Sequence, residues 1–192
     1  MAQIDTLAAL LADPGFRQVE ALGVAVAGRV DAAGNWHAVN RDTLRAISAA
    51  PPGAMLAARF GGRCRAVNDA AAAALAEAAL GAGRGARNFA CLTVSTGVGG
   101  GLVLGGRRLD SGNGLAGHVG LVSSRLAQDR CGSGRIGTVE SVAGGRAIAA
   151  AAVLAHLSDK PELFRPAVVA AELGHDSGLL GALLAAAGGA PD

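Results

Sequence analysis

The sequence predicts an α/β fold with at least partly parallel sheets. Three observations carry that expectation. Short apolar runs such as Ala21–Ala27 read as buried strands, helical patterns such as Ala70–Leu80 follow them, and Gly and Pro clusters separate the two kinds of segment. No internal repeat is present.

In chain order, Thr6 to Leu11 carries apolar residues at helical spacing behind Asp5 or Thr6 as N-cap. Ala21–Ala27 is a strand ending in Gly28, and Asp31–Asn35 is a turn leading to Trp36. Arg41–Ala49 reads as a helix stopped by Pro51-Pro52-Gly53, and Gly53–Phe60 as a short helix before a strand at Arg63–Val67. Asn68-Asp69 caps the helix Ala70–Leu80. Gly81-Ala82-Gly83-Arg84-Gly85 ends it by the C-terminal preference for glycine. That glycine cluster follows a helix instead of joining strand to helix, so it is no dinucleotide fingerprint.

The second half opens with strands at Phe89–Ser95 and Gly101–Leu104, separated by Thr96-Gly97-Val98-Gly99-Gly100. Gly105–Gly117 and Arg125–Gly137 are polar and loop-like. Glu140 to about Leu157 reads as helix despite Gly144-Gly145, and Lys160-Pro161 breaks it. A short apolar run at Ala167–Ala171 leads through Gly174-His175-Asp176 into a last helix, Ser177–Ala187.

Composition narrows the function classes. The 192 residues are 51% hydrophobic and 17% charged, but Ala and Gly supply most of the apolar content and no unbroken run reaches membrane-spanning length. Seventeen basic against fifteen acidic residues leave a net charge of +2, too balanced for an electrostatic nucleic-acid binder. Cys64, Cys91 and Cys131 are odd in number and widely spaced, so no disulfide framework is expected and a cytoplasmic location fits. The first residues lack the basic and apolar regions of a secretory signal.

Three segments can carry chemistry. Asn68-Asp69 lies at a strand-to-helix junction, where open α/β sheets bind ligands. An Asp there can accept a proton from a hydroxyl and an Asn can both donate and accept, although plain N-capping by Asp69 fits the spacing too. Ser95-Thr96-Gly97-Val98-Gly99-Gly100-Gly101 fits a backbone phosphate cradle and a tight β-turn equally. His118 and Glu140 can hydrogen-bond a polyol, or serve as structural residues. One Cys and one His do not make a zinc site.

Taken in order, the segments become specific. Ala-Val-Asn-Asp-Ala-Ala-Ala-Ala-Ala is followed by Gly-Ala-Gly-Arg-Gly, Leu-Thr-Val-Ser-Thr-Gly-Val-Gly-Gly-Gly and Gly-Leu-Ala-Gly-His-Val-Gly. Cys-Gly-x-Gly-x-x-Gly-x-x-Glu and Ala-Gly-Gly-Arg-Ala-Ile-Ala complete the series. This resembles the ROK family of repressors, open reading frames and sugar kinases, over about Leu22–Ala152 and again about Leu154–Ala186. The resemblance implies a two-lobed actin-like ATPase or hexokinase fold of the ribonuclease H-like class. Residues 1–84 form a partial N-terminal lobe on the sugar side, and 85–192 a partial C-terminal lobe.

The implied activity is transfer of phosphate from ATP, with Mg²⁺, to the 6-hydroxyl of N-acetylmannosamine or a related hexose. Asp69 matches the family's catalytic base. Asn68 and Glu140 match sugar-hydroxyl ligands, His118 sits where a sugar-contacting Glu or His is expected, and Asn40 matches another sugar-side Asn. Thr96 and Gly97, with Gly99 after them, match the second phosphate-binding loop. A homodimer is the family's common assembly.

The sequence also departs from the family pattern. No Asp-x-Gly-Gly-Thr phosphate loop occurs in it, and an internal deletion of the adenosine-binding segment is expected near 152. Leu121, Cys131, Ser133 and Thr138 stand where the family places the one His and three Cys of a structural zinc site, so no structural zinc is expected. These departures support a competing expectation of a catalytically degenerate sugar-binding or oligomerisation remnant. The family's DNA-binding members carry a helix-turn-helix domain, for which residues 1–20 are too short.

Overall fold

The computed structural model describes residues 20–40, 49–144 and 171–187, with single positions 9, 44, 47 and 169. Most of the helices expected over 6–11 and 41–49, most of the run at 167–171, everything beyond Gly144 of the helix expected from Glu140, and the deletion near 152 lie outside the described residues. The first half of the chain holds β1 (Ala21–Val26), β2 (Arg29–Val30), β3 (Trp36–His37), α1 (Pro52–Phe60), β4 (Arg63–Asn68) and α2 (Asp69–Leu80). After these come β5 (Phe89–Val94), β6 (Val98–Leu104), β7 (Arg107–Arg108), a 3-10 turn (Val119–Leu121), α3 (Val139–Ala143), a further 3-10 turn (Gly174–Asp176) and α4 (Ser177–Ala187).

The β1–β4 pair is parallel, with Ala21 opposite Arg63 and Val26 opposite Asn68. That register sets Ala27-Gly28 beside Asn68-Asp69 at the carboxyl ends of both strands. β5, β6 and β7 form an antiparallel sheet in that order, and β2 and β3 a small hairpin. The hairpin turn is held by Asp31, whose Oδ1 accepts from the N–H groups of Ala33 (3.0 Å) and Asn35 (2.9 Å). Such a local side-chain contact is what makes Asp a turn residue.

α2 is buried from Ala70 through Glu77, so it is an inner helix and not a surface one. It packs against α4 and, through it, the parallel pair on one side, and against β5 and β6 on the other. Val67, Ala71, Ala72, Leu75, Ala182 and Ala185 make the main cluster. Small side chains let these layers approach to backbone contact. A Cβ on Gly23 would strike the Ala182 carbonyl, one on Gly181 the Ala72 carbonyl, and one on Gly101 the Ala74 side chain. The Ala- and Gly-rich composition thus becomes close packing of backbones.

Several boundaries differ from expectation. α1 starts at Pro52, whose fixed φ suits the first helical turn, and ends on Gly61 at φ 78°. Asn68, not Asp69, caps α2: its side chain accepts from the Ala71 N–H at 3.0 Å. Gly81 ends α2 at φ −117°, outside the left-handed region, and its glycine serves instead to clear the Glu77 carboxylate. β6 starts at Val98, so Val98, Gly99 and Gly100 lie in a strand instead of a loop. α3 ends at Ala143, because Gly144 turns extended at ψ 128°. α4 spans Ser177–Ala187 as expected. No described helix is long and apolar enough to cross a membrane.

Candidate active site

Asp69 is the first residue of α2 and is exposed at the carboxyl end of β4. Its Oδ1 accepts from the Ala70 N–H and from the Asn68 amide, both at 2.9 Å. Oδ2 carries no hydrogen bond among the described residues. Asn68 is committed on three sides: Nδ2 donates to the Gly28 carbonyl (2.7 Å) and to Asp69, while Oδ1 caps the helix. One lone pair of Oδ1 is left for a ligand.

His118 stands over this corner. The Gly28, Leu115 and Ala116 carbonyls and the Asp69 charge face its ring. Burial pushes its pKa below the usual range, more than those groups raise it, so the imidazole is neutral at pH 7. Its Nδ1 is buried with no hydrogen-bond partner. A buried polar atom left unpaired costs about 1–3 kcal/mol, which a ligand hydrogen bond at that atom would remove.

Thr96 and Gly97 make the turn between β5 and β6, closed by the Ser95 N–H donating to the Gly97 carbonyl at 2.9 Å. Thr96 is exposed. The N–H groups of Thr96 and Gly97 have no hydrogen bond among the described residues, so the turn can still present donors to an anion. Gly99 pairs with Thr93 inside the hairpin, where an added Cβ would sit 3.0 Å from the Ala70 side chain. Glu140, in the first turn of α3, accepts from the Val98 N–H at 3.1 Å through Oε2. Asn40 lies against Gly132, in the loop that leads to α3.

The start of β6 joins these groups. Gly99 touches the first turn of α2, Gly100 backs onto the Gly117 carbonyl, and Gly120 onto the Val98 carbonyl. Asn68, Asp69 and His118 therefore form one corner, and Thr96, Gly97 and Glu140 another, on either side of one strand end. Asn40 stands apart on the Gly132 loop. Sequence reasoning missed Gly28 as part of the site. Its φ of 106°, and the lack of room for a Cβ 2.5 Å from the His37 carbonyl, expose the carbonyl that orients Asn68. The signal was a glycine directly after the first strand.

The positions matching a zinc site do not fit that ion. Cys131 Sγ lies 3.0 Å from Ser133 Oγ, and Thr138, fully buried, spends its hydroxyl on capping α3 at the Ser141 N–H. One thiol, two hydroxyls and the Leu121 side chain are no tetrahedral N/S set. Among the described residues, no three His, Cys, Asp or Glu side chains group to hold a metal.

The ROK family model matches residues 2–160. The bifunctional enzyme NanE/NanK of Brucella melitensis biotype 1 is 39% identical over 165 residues, 85% of this chain and 30% of that protein. The N-acetylmannosamine kinase of Pasteurella multocida is 49% identical over 84 residues, 44% of this chain and 28% of that protein. The chain thus spans less than a third of the length of these curated relatives. The ROK hexokinase from Thermus thermophilus superposes with a TM-score of 0.72 at 28% identity, covering 96% of this chain and 85% of its own. A ROK family glucokinase from Streptomyces griseus, solved with glucose and AMPPNP, gives 0.77 at 23% identity over 98% of this chain and 88% of its own, a likeness of fold. The architecture is that of the actin-like ATPase fold of ROK sugar kinases, and the chain belongs to the ROK family.

Proposed function

We propose that the chain carries a sugar-kinase site that transfers the γ-phosphoryl group of ATP to the 6-hydroxyl of N-acetylmannosamine or a related hexose, in the cytoplasm and as a homodimer. One observation carries the reading. The exposed Asp69 carboxylate, fixed through Oδ1 by Asn68 and the Ala70 N–H, keeps Oδ2 open, and its charge acts on His118, whose buried Nδ1 has no hydrogen-bond partner.

In this reading the sugar oxygen bonds to the γ-phosphorus as the bond to ADP breaks, and the hydroxyl proton passes to Asp69. A positioned base contributes about 10²–10⁴-fold. Orientation contributes more, up to about 7–11 kcal/mol. Asn68 serves mainly to aim Asp69, and its spare lone pair, Glu140 and Asn40 take sugar hydroxyls. His118 stays neutral and offers a hydrogen bond without charge. Thr96, Gly97 and Gly99 face the nucleotide, whose phosphates carry the Mg²⁺ that neutralises developing charge.

A second reading, a sugar-binding or oligomerisation module without catalysis, is favoured by one observation. At the positions matching the family's structural zinc site, the loop leading to Glu140 holds Leu121, Cys131, Ser133 and Thr138, a set that cannot bind that ion to fix the loop. An ADP-release assay with Mg-ATP and N-acetylmannosamine separates the two. Turnover abolished by Asp69→Asn supports the kinase. No turnover above that variant, together with a sugar-dependent rise in melting temperature, supports the binding module.

A further inference from the structure

We infer that Glu140 is a positioning residue that couples occupancy of the sugar side to order in the Ser95–Gly97 turn, so that sugar and nucleotide each tighten the binding of the other. The inference rests on the kinase-site reading above and goes beyond it.

Two contacts show α3 pressed on that turn. Glu140 Oε2 accepts from the Val98 N–H at 3.1 Å, and a Cβ on Gly97 would stand 2.5 Å from the same oxygen and push the carboxylate aside. At the far end of the helix, a Cβ on Gly144 would sit 3.1 Å from the Thr96 carbonyl. Both ends of a five-residue helix therefore contact the turn. The second carboxylate oxygen, Oε1, has no hydrogen bond among the described residues. One carboxylate thus holds the turn with one oxygen and offers the other to a sugar hydroxyl.

A hydroxyl donating to Oε1 fixes the plane of the carboxylate, and with it the direction of the bond to Val98. The turn is then ordered before nucleotide arrives, and the ordering cost of nucleotide binding falls. Linkage makes the effect reciprocal. A carboxylate that merely braced the turn would raise nucleotide affinity equally with and without sugar.

The test is a calorimetric titration of the full chain with Mg-AMPPNP, with and without saturating N-acetylmannosamine. The expected outcome is a Kd at least about fivefold lower with sugar, the lower end of usual coupling. In Gly97→Ala, which drives a methyl group into Oε2, that ratio falls to about one whatever the affinity itself does. Glu140→Ala loses the ratio as well. Glu140→Gln, whose amide oxygen still accepts from Val98 but whose amide nitrogen cannot accept from a sugar hydroxyl, keeps the sugar-free nucleotide affinity within about threefold of the unmodified chain while its ratio falls to about one. If Gly97→Ala does not fold, Glu140→Gln decides, and a ratio it retains in full overturns the coupling. Both ligands binding with a ratio of one overturns the coupling alone, as does an unchanged ratio in Gly97→Ala. Absence of both isotherms overturns the kinase-site reading, and the coupling with it.

Discussion

Asp69 and Glu140 flank one strand end, yet the chain fixes them by different means. Asp69 rides on a six-residue parallel pair and heads a twelve-residue helix in which Ala70 through Glu77 are all buried. Glu140 rides on a five-residue helix that buries no residue of its own. Layer packing holds the first corner. The second depends on hydrogen bonds: the Thr138 cap, the Val98 contact and the Cys131–Ser133 pair. A base must be placed to fractions of an ångström against the reacting atom, whereas a hydroxyl ligand tolerates more adjustment. In the proposed kinase reading, the rigid corner carries the group with the stricter geometry.

The largest effect is expected at the rigid corner. Asp69→Asn keeps size and the acceptor for Ala70 but removes the base, so ADP release falls by about 10²–10⁴-fold. Melting temperature changes little, because an exposed carboxylate in a first helical turn contributes only about 0.3–1 kcal/mol. A loss of folding in parallel with activity would show instead that Asp69 belongs to the structural layer.

Packing is tested next. Gly181→Ala sets a Cβ against the Ala72 carbonyl, a backbone atom that cannot rotate away. Overpacking of this kind costs about 1–3 kcal/mol, or about 2–12 °C in Tm for a chain of this size. A neutral outcome in differential scanning calorimetry would mean that α4 is not pressed on α2.

The contrast between the corners also explains what was legible in the sequence. α2 could be read because alanine is the best helix former and Asn68-Asp69 announces its start, and α4 because Leu and Ala outnumber the two glycines in Ser177–Ala187. The β6 glycines misled because glycine signals turns. Here they clear the way for Ala70 and Ala74 of α2, a contact between residues distant in sequence. Asp69 emerged as a candidate from the ordered family motifs, since spacing alone favours a cap there. The Glu140–Val98 bond spans 42 positions and leaves no local trace. Long-range polar contacts are the part of a site that periodicity does not encode.

Acid adds a further test of the packed side. Burial opposes ionisation of Glu77, but the N–H groups of Leu173, Ala82 and Glu172 outweigh it and hold its carboxyl below the usual value of 4.5. Its Oε1 meets Leu173 at 2.9 Å and its Oε2 meets Ala82 at 2.9 Å, tying the end of α2 to the segment that leads into α4. A pKa lowered on folding gives stability that is present above pH 4.5 and is lost as pH falls through the folded value. Glu77→Gln is expected to cost about 1–2 kcal/mol at pH 7 and less as pH drops below that window. Asp31, drawn down to about 2 by its bond to His37 and by the Asn35 N–H, loses its contribution at lower pH still. Melting curves from pH 7 to 3 separate the two, and a Glu77→Gln deficit that does not shrink with acid would count against the assignment.

At the other corner a modest effect on stability is expected to carry a proportionally larger functional consequence. Thr138 is fully buried, and its hydroxyl caps α3 at the Ser141 N–H. Losing an N-cap of this type costs about 0.5–2 kcal/mol. With no buried face to hold α3 in place, that cost is borne by the helix that presents Glu140. Thr138→Ala should therefore weaken N-acetylmannosamine binding and raise the sugar KM while leaving kcat per bound sugar near its original value. Tm should fall by only a few degrees, about 2–4 °C per kcal/mol, and Thr138→Ser should restore the sugar KM. If Tm falls and sugar affinity holds, the bond to Val98 fixes Glu140 without the cap, and the weaker corner is stronger than its hydrogen bonds suggest.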